Sequence, residues 1–135
     1  MRTLTDHIVS GDQAVQLQID VTDEPGAGQA NHRYEITGFD TGGNPSRTDS
    51  AGYSHSKSRD IIMFQNGPIK TFGVNGITQE AMLAIIIDRL RSFQAGQYKC
   101  RENAIALTHC EEALMWLQRR TVERIKRGVE GTDEK

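Results

Sequence analysis

The sequence of 135 residues is poor in aromatic residues and has no long hydrophobic run. Aromatic residues make up 6% of the chain. Since a domain of this size buries only about two-thirds of its unfolded surface, oligomerisation is a reasonable way to bury more. No segment approaches the ~20 apolar residues of a membrane span, and the N-terminal MRTLTDHIVSGD lacks the apolar core of a signal peptide. The sequence therefore predicts a cytoplasmic protein without a membrane segment.

Cysteine and histidine are also sparse. Cys100 and Cys110 lie ten positions apart in one predicted helix, roughly 15 Å from each other, so they cannot form a disulfide together. Reduced thiols fit a cytosolic protein. The four histidines show neither H-x-H nor HExxH spacing, nor the paired H-x-[ST] repeats of a two-histidine phosphoesterase. We therefore predict no catalytic residue, no metal site and no cofactor.

Charge is present but unevenly distributed. The net charge is −2, yet five cations lie between Arg119 and Arg127. Residues 1–60 carry nine acids and five bases, whereas residues 61–135 carry nine acids and eleven bases. The cationic surface is therefore expected in the C-terminal half.

Alternating apolar and polar residues predict strands in the N-terminal half. Val15–Val21 and Arg33–Thr37 both alternate, which indicates an antiparallel hairpin. Residues 40–59 form a long polar loop, either a mobile surface loop or a functional one. Ile61–Gln65 and Ile69–Val74 flank Asn66-Gly67, a strong hairpin-turn signal, and are predicted as strands three and four.

Helical periodicity governs the rest of the chain. Thr78 is predicted to cap a helix that runs to about Gln94 and ends at Gly96. A second helix should run from about residues 99–102 to Arg127, and together the two form an αα-hairpin. The apolar seam of the first helix is predicted as Leu83, Ile86, Leu90 and Phe93. That of the second is predicted as Asn103, Leu107, Cys110, Leu114, Leu117, Thr121 and Ile125.

These elements predict an α+β fold in which an antiparallel sheet of about four strands precedes a helical hairpin. We expect a single domain over residues 1–135. It would comprise a sheet region at 1–76 with the polar loop 40–59, the hairpin at 77–128 and a tail at 129–135.

Polar groups occupy two unexpected places in this hairpin. Asn103 stands in the seam, where it either caps the helix or serves another polar partner. Trp116 shares a second helix face with Arg120, Arg124 and Arg127. That face is either a solvated basic surface, a contact between subunits or a site for phosphates and purines, which suit arginine. About 25 Å of helix separates Asn103 from the arginines, so only an antiparallel second copy could bring them together.

The ordered motifs FQNGPIK, GVNGIT, DRLRSFQAG, CRENA, EEALMWL, RRTVER and RGVEGT cover about residues 61–132. In these motifs the sequence resembles the phage Thoeris anti-defence sponge family, whose hairpin is shared with the anti-CBASS cyclic-nucleotide sponges. The resemblance implies a non-catalytic protein in the host cell cytoplasm. It would sequester cyclic ADP-ribose isomers, or cyclic di- and trinucleotides, as a homodimer or a higher homo-oligomer up to a hexamer.

The resemblance also implies roles for individual residues. Phe93 would stack on adenine and Asn103 would hydrogen-bond the ligand, while arginines of the partner chain would contact phosphates or the base. The implied ligand-binding set is Phe93, Asn103, Arg119, Arg120 and Arg124. A second site on an oligomer axis would involve Arg127, Gly131 and Thr132.

Three rival functions differ in what they require. An enzyme that degrades the same signals would need catalytic motifs, which we do not find. A nucleic-acid-binding hairpin could use the arginine stripe, but the sequence pI near 6.1 disfavours it. A purely structural helical oligomer would tolerate alanine at Phe93, Asn103 and Arg120.

Overall fold

A computed structural model describes residues 1–12, 17–47 and 58–135 of the chain. The chain divides into two compact units, residues 1–63 and residues 64–135. The segment 64–76, which the sequence assigned to the sheet region, belongs to the second unit. The predicted strand start at Val15 and residues 48–57 of the polar loop lie outside the described residues.

The first unit contains an antiparallel sheet. Its described strands are β1 (Arg2–Leu4), β2 (Gln18–Val21), β3 (Arg33–Phe39) and β4 (Ser58–Met63), in the spatial order β1-β2-β3-β4. The predicted antiparallel pairing of β2 with β3 is confirmed, with Ile19 opposite Ile36 and Val21 opposite Tyr34. Val21 is fully buried and belongs to the core of this unit. Three-residue β1 was not predicted, because a strand that short shows too little alternation.

A carboxylate organises the turn between β2 and β3. Asp23 accepts hydrogen bonds from the backbone N–H groups of His32 (2.9 Å) and Arg33 (3.1 Å), and Asn31 donates to its carbonyl (2.7 Å). Desolvation raises the pKa of the Asp23 carboxyl, but the donated hydrogen bonds outweigh it and leave the pKa below its usual value. The turn is thus held by an ionised side chain.

The strand predicted at Ile69–Val74 is wrong, because residues Ile69–Phe72 form a short helix, α1. Gly67 has a φ of +88°, and Pro68 supplies the helix N-cap, so the chain turns into a helix instead of a hairpin. The expectation of about four strands holds because β1 supplies the fourth.

Side-chain amides close the loop that contains α1. Gln65 donates through Nε2 to the carbonyl of Gly73 (2.8 Å) and accepts from the backbone N–H of Asn75 (2.9 Å). Asn75 bonds both the N–H and the carbonyl of Asn66, at 2.9 and 2.7 Å. These amides replace the backbone ladder that a hairpin would have provided.

The helical hairpin consists of α2 (Gln79–Ala95) and α3 (Arg101–Lys126). Thr78 caps α2, accepting from the N–H of Ala81 at 3.1 Å, and Gly96 is the C-cap, as predicted.

The seam of α2 is rotated from the prediction by about one residue. Ile87 is only 3% exposed, while Ile86 is exposed on the neighbouring face. Leu83 and Leu90 are half-buried and continue the seam with Ile87. Three consecutive isoleucines made either register compatible with the sequence, and packing against α3 selected Ile87.

The seam of α3 follows the prediction through Thr121 and then departs from it. Leu107, Cys110, Leu114, Leu117 and Thr121 are half-buried. Ile125, the predicted last member, is 60% exposed, and Arg124 is buried instead. The last turn of α3 is therefore anchored by a charged residue.

Candidate functional site

The turn end of the hairpin carries a partly exposed aromatic ring. Phe93 lies in the last turn of α2 and is 37% exposed. The guanidinium carbon of Arg89, one turn earlier, lies 5.5 Å from the ring centroid, a cation–π distance. One end of the hairpin thus offers an aromatic surface beside a cation.

Asn103 lies in the first turn of α3 at the same end. The helix N-cap is Cys100, whose Sγ accepts the backbone N–H of Asn103 at 3.4 Å, so Asn103 is not the cap. Gln94 accepts the backbone N–H of Cys100 at 3.0 Å and fixes the connection between the helices. The half-buried Asn103 side-chain amide makes no hydrogen bond within the described part of the chain. Its donors and acceptor are available to a ligand or a partner.

The opposite end of the hairpin is cationic. Arg119 and Arg120 are exposed near the end of α3. The guanidinium carbon of Arg119 lies 5.4 Å from the ring centroid of Trp116, which is itself 59% exposed. Arg120 makes no ion pair with any described residue. These planar groups could meet phosphates or aromatic bases.

Arg124 differs from its neighbours because it is buried and hydrogen-bonded. It is 6% exposed, and its Nε donates to the Glu130 carboxylate at 2.9 Å. Its Nη2 donates to the carbonyls of Val129 (2.9 Å) and Thr132 (3.1 Å), and its Nη1 donates to the carbonyl of Glu134. Four hydrogen bonds therefore tie one guanidinium, which has five N–H donors, to the chain that follows.

The bonded segment, residues 128–134, is here called the C-terminal turn. Gly128, with a φ of +71°, ends α3, and the N–H of Val129 returns to the carbonyl of Arg124 at 3.1 Å. The turn also reaches α1, because the backbone N–H of Lys70 donates to the carbonyl of Gly131 at 3.1 Å. The C-terminal turn is therefore bonded both to Arg124 of α3 and to the backbone of Lys70 in α1.

The three residues assigned to a second site lie in and beside this turn. Arg127 is the exposed C-cap of α3. Gly131 adopts a φ of +80°, and a Cβ there would lie 3.6 Å from the side chain of Lys70. The hydroxyl of the half-buried Thr132 donates to the carbonyl of Val129.

The structure brings some predicted site residues together and keeps others apart. Phe93 and Asn103 share the turn end, while Arg119 and Arg120 share the cationic end. Because Arg120 follows Asn103 by seventeen residues along α3, about 25 Å separates the two ends within one chain.

The sequence did not point to Glu130 as a partner of Arg124. An acid between two glycines, directly after a basic helix end, was the available signal.

The described part of the chain has no group of three or more histidine, cysteine, aspartate or glutamate side chains placed to hold a metal ion. None of its helices combines the length and apolar character needed to cross a membrane.

Comparison with known proteins defines the class of the hairpin. A family model described as the Acb2/Tad1 hairpin domain matches residues 57–122, which include β4, α1, α2 and most of α3. The helical part of the chain is therefore similar to the Acb2/Tad1 hairpin domain, and the resemblance drawn from the sequence motifs is confirmed.

One curated relative is close in sequence. The chain is 54% identical over 74 residues to the protein named Thoeris anti-defense 1 of Bacillus phage SBSphiJ7. The alignment covers 55% of this chain and 52% of the relative, so the chain matches about half of the relative's length.

Proposed function

We propose that this chain is a phage anti-defence protein that binds and sequesters cyclic nucleotide signals of bacterial immunity without cleaving them. The name of the Bacillus phage relative and the match to the Acb2/Tad1 hairpin support the anti-defence role. Cyclic ADP-ribose isomers are the first expected ligands, and the cyclic di- and trinucleotides of CBASS are the second. Such a protein would act in the cytoplasm of the infected host cell.

One observation carries the proposal: groups suited to bases and phosphates lie at opposite ends of the matched hairpin, and none of them forms an ion pair or a side-chain hydrogen bond with another described residue. Phe93 and the Asn103 amide lie at one end, and Arg119 and Arg120 lie at the other. Base–aromatic stacking is worth about 1–3 kcal/mol, and each charge-assisted hydrogen bond about 1.5–3 kcal/mol. One ring and two guanidinium groups could therefore hold a small phosphorylated nucleotide.

A second copy of the chain is needed to complete this site. Two hairpins packed antiparallel would bring the turn end of one to the cationic end of the other. Large apolar side chains exposed on both helices favour such packing, including Ile85, Met115, Trp116 and Ile125. We propose a homodimer as the smallest binding unit, from which a hexamer could be built.

The site is tested by the amount of cyclic ADP-ribose isomer that the protein removes from solution. Arg120→Ala should lose at least about tenfold in retention, because one charge-assisted contact is removed. Lys126→Ala is the matched control, since Lys126 is an exposed cation on the same helix that pairs with Glu123 at 3.6 Å. Equal retention by Arg120→Ala and the parent would refute the site.

The same assay separates the proposal from nucleic-acid binding by the exposed arginines. Retention in a closed site should change little between low and moderate salt, whereas binding to a polyanion weakens steeply. A steep salt dependence, together with binding of single-stranded DNA at low salt, would favour the nucleic-acid hairpin.

A further inference from the structure

The C-terminal turn is centred on Arg124, which the family resemblance assigns to the ligand but whose guanidinium here donates to the turn itself. Among the described residues, the Glu130 carboxylate is the one anion within 4 Å of Arg124, and it is 2.9 Å from Nε. The other acceptors of this guanidinium are backbone carbonyls of the same turn. Glu130 is thus the one side chain whose replacement would leave a donor of a buried cation unpaired, which is costly.

The position of this ion pair links it to the cationic end of the hairpin. Arg124 follows Arg120 by one helical turn, and α3 ends two residues after Arg124. The last turn of an isolated helix frays, because its final carbonyls have no partners within the helix. Here the ion pair and the three carbonyl bonds of Arg124 hold residues 128–134 beside that last turn. Arg120 lies one helical turn before this bonded end.

We propose that Glu130 is a positioning residue of the candidate site. By locking Arg124 into the C-terminal turn, it fixes the end of α3 from which Arg119 and Arg120 project. This inference rests on the proposed function, because it assigns Glu130 an effect on ligand retention. A binding site loses apparent affinity in proportion to the fraction of molecules in which it is assembled.

The chain contains its own reporter of the turn. The backbone N–H of Lys70 in α1 donates to the carbonyl of Gly131, sixty-one residues further along the sequence. This amide should exchange with solvent hydrogen faster whenever the C-terminal turn leaves α1. Its exchange rate measures the order of the turn without any ligand.

The experiment compares full-length Glu130→Ala with full-length Glu134→Ala. Both variants remove one carboxylate from the same segment. Glu134 contacts Arg124 only through its backbone carbonyl, so that contact survives the control substitution. The readouts are hydrogen exchange of the Lys70 amide and retention of a cyclic ADP-ribose isomer.

We expect Glu130→Ala to speed Lys70 exchange and to lower retention by roughly tenfold, the loss of one charge-assisted hydrogen bond. Glu134→Ala should match the parent in both. Faster exchange with unchanged retention would overturn the inference, because Glu130 would then be purely structural. Tighter retention by Glu130→Ala would also overturn it, since Glu130 would then compete with the ligand for Arg124.

Unchanged Lys70 exchange in Glu130→Ala would overturn the inference as well, because the turn would be held without Glu130. A parent protein that retains no cyclic nucleotide would instead refute the proposed function. The two failures can be told apart, because Lys70 exchange does not depend on a ligand and would still show whether Glu130 holds the turn.

Discussion

Replacing Ile87 with alanine should destabilise the hairpin far more than the same replacement at Ile85, two residues earlier in α2. Ile87 is 3% exposed, whereas Ile85 is 61% exposed. Truncating a buried isoleucine costs about 2–5 kcal/mol, depending on how well its surroundings collapse. The seam neighbours Leu83 and Leu90 are only half-buried and can relax, so we expect the lower part of that range, about 2–3 kcal/mol. Exposed substitutions generally cost about 0.5 kcal/mol or less.

The assay is thermal unfolding followed by the helical circular dichroism signal, with both variants and the parent measured over a dilution series. For a compact unit of the size of residues 64–135, each kcal/mol lowers Tm by roughly 4–8 °C. Ile87→Ala should therefore melt roughly 10 °C or more below the parent at every concentration. If Ile85→Ala lost as much as Ile87→Ala across the whole series, the seam assignment would be refuted. A loss at Ile85 that depends on dilution would instead place this residue between copies of the chain.

Three further predictions concern single residues. Gly67→Ala should lower the free energy of unfolding by about 1–3 kcal/mol, chiefly because a φ of +88° is strained for alanine. The added Cβ would approach the Phe72 ring to 2.5 Å, but this exposed ring can rotate away. An unchanged Tm would contradict the turn geometry. Thr78→Ala should cost about 1 kcal/mol by removing the α2 cap, and a urea titration that showed no loss would argue against the cap. Because its pKa is lowered, the ionised Asp23 contributes stability that is fully present above about pH 4. This contribution should be lost as the pH falls through the lowered pKa. On acid titration the Asp23→Asn variant should therefore lose sheet stability less steeply with pH than the parent. The same slope of stability against pH in both proteins would show that Asp23 has no such role.

Features set by nearby residues could be predicted from the sequence. Thr78 and Gly96 bound α2 because capping depends on residues within one turn of each helix end. The β2–β3 pairing followed from alternation, which records the buried face of each strand.

Features set by distant contacts could not be predicted in this way. Asn66-Gly67 indicated a hairpin, but side-chain amides from Gln65 and Asn75 close a loop around a helix instead. Such amide bonds leave no periodic trace in the sequence.

The charged anchor of α3 was missed for a related reason. Arg124 is buried because Glu130 and three carbonyls of the C-terminal turn surround it. Arg124 lies on the same helix face as the exposed Arg120, so the helical pattern predicts the same exposure for both residues. The difference depends on how the chain turns back after Gly128.

The most direct test of sequestration is the chemical identity of what the protein releases. The parent protein would be incubated with a cyclic ADP-ribose isomer, freed of unbound ligand by gel filtration and then heated until it denatures. Chromatography and mass measurement would identify the released small molecule. The account predicts intact cyclic nucleotide in amounts comparable to the protein. Recovery of a cleaved or otherwise altered nucleotide would contradict it.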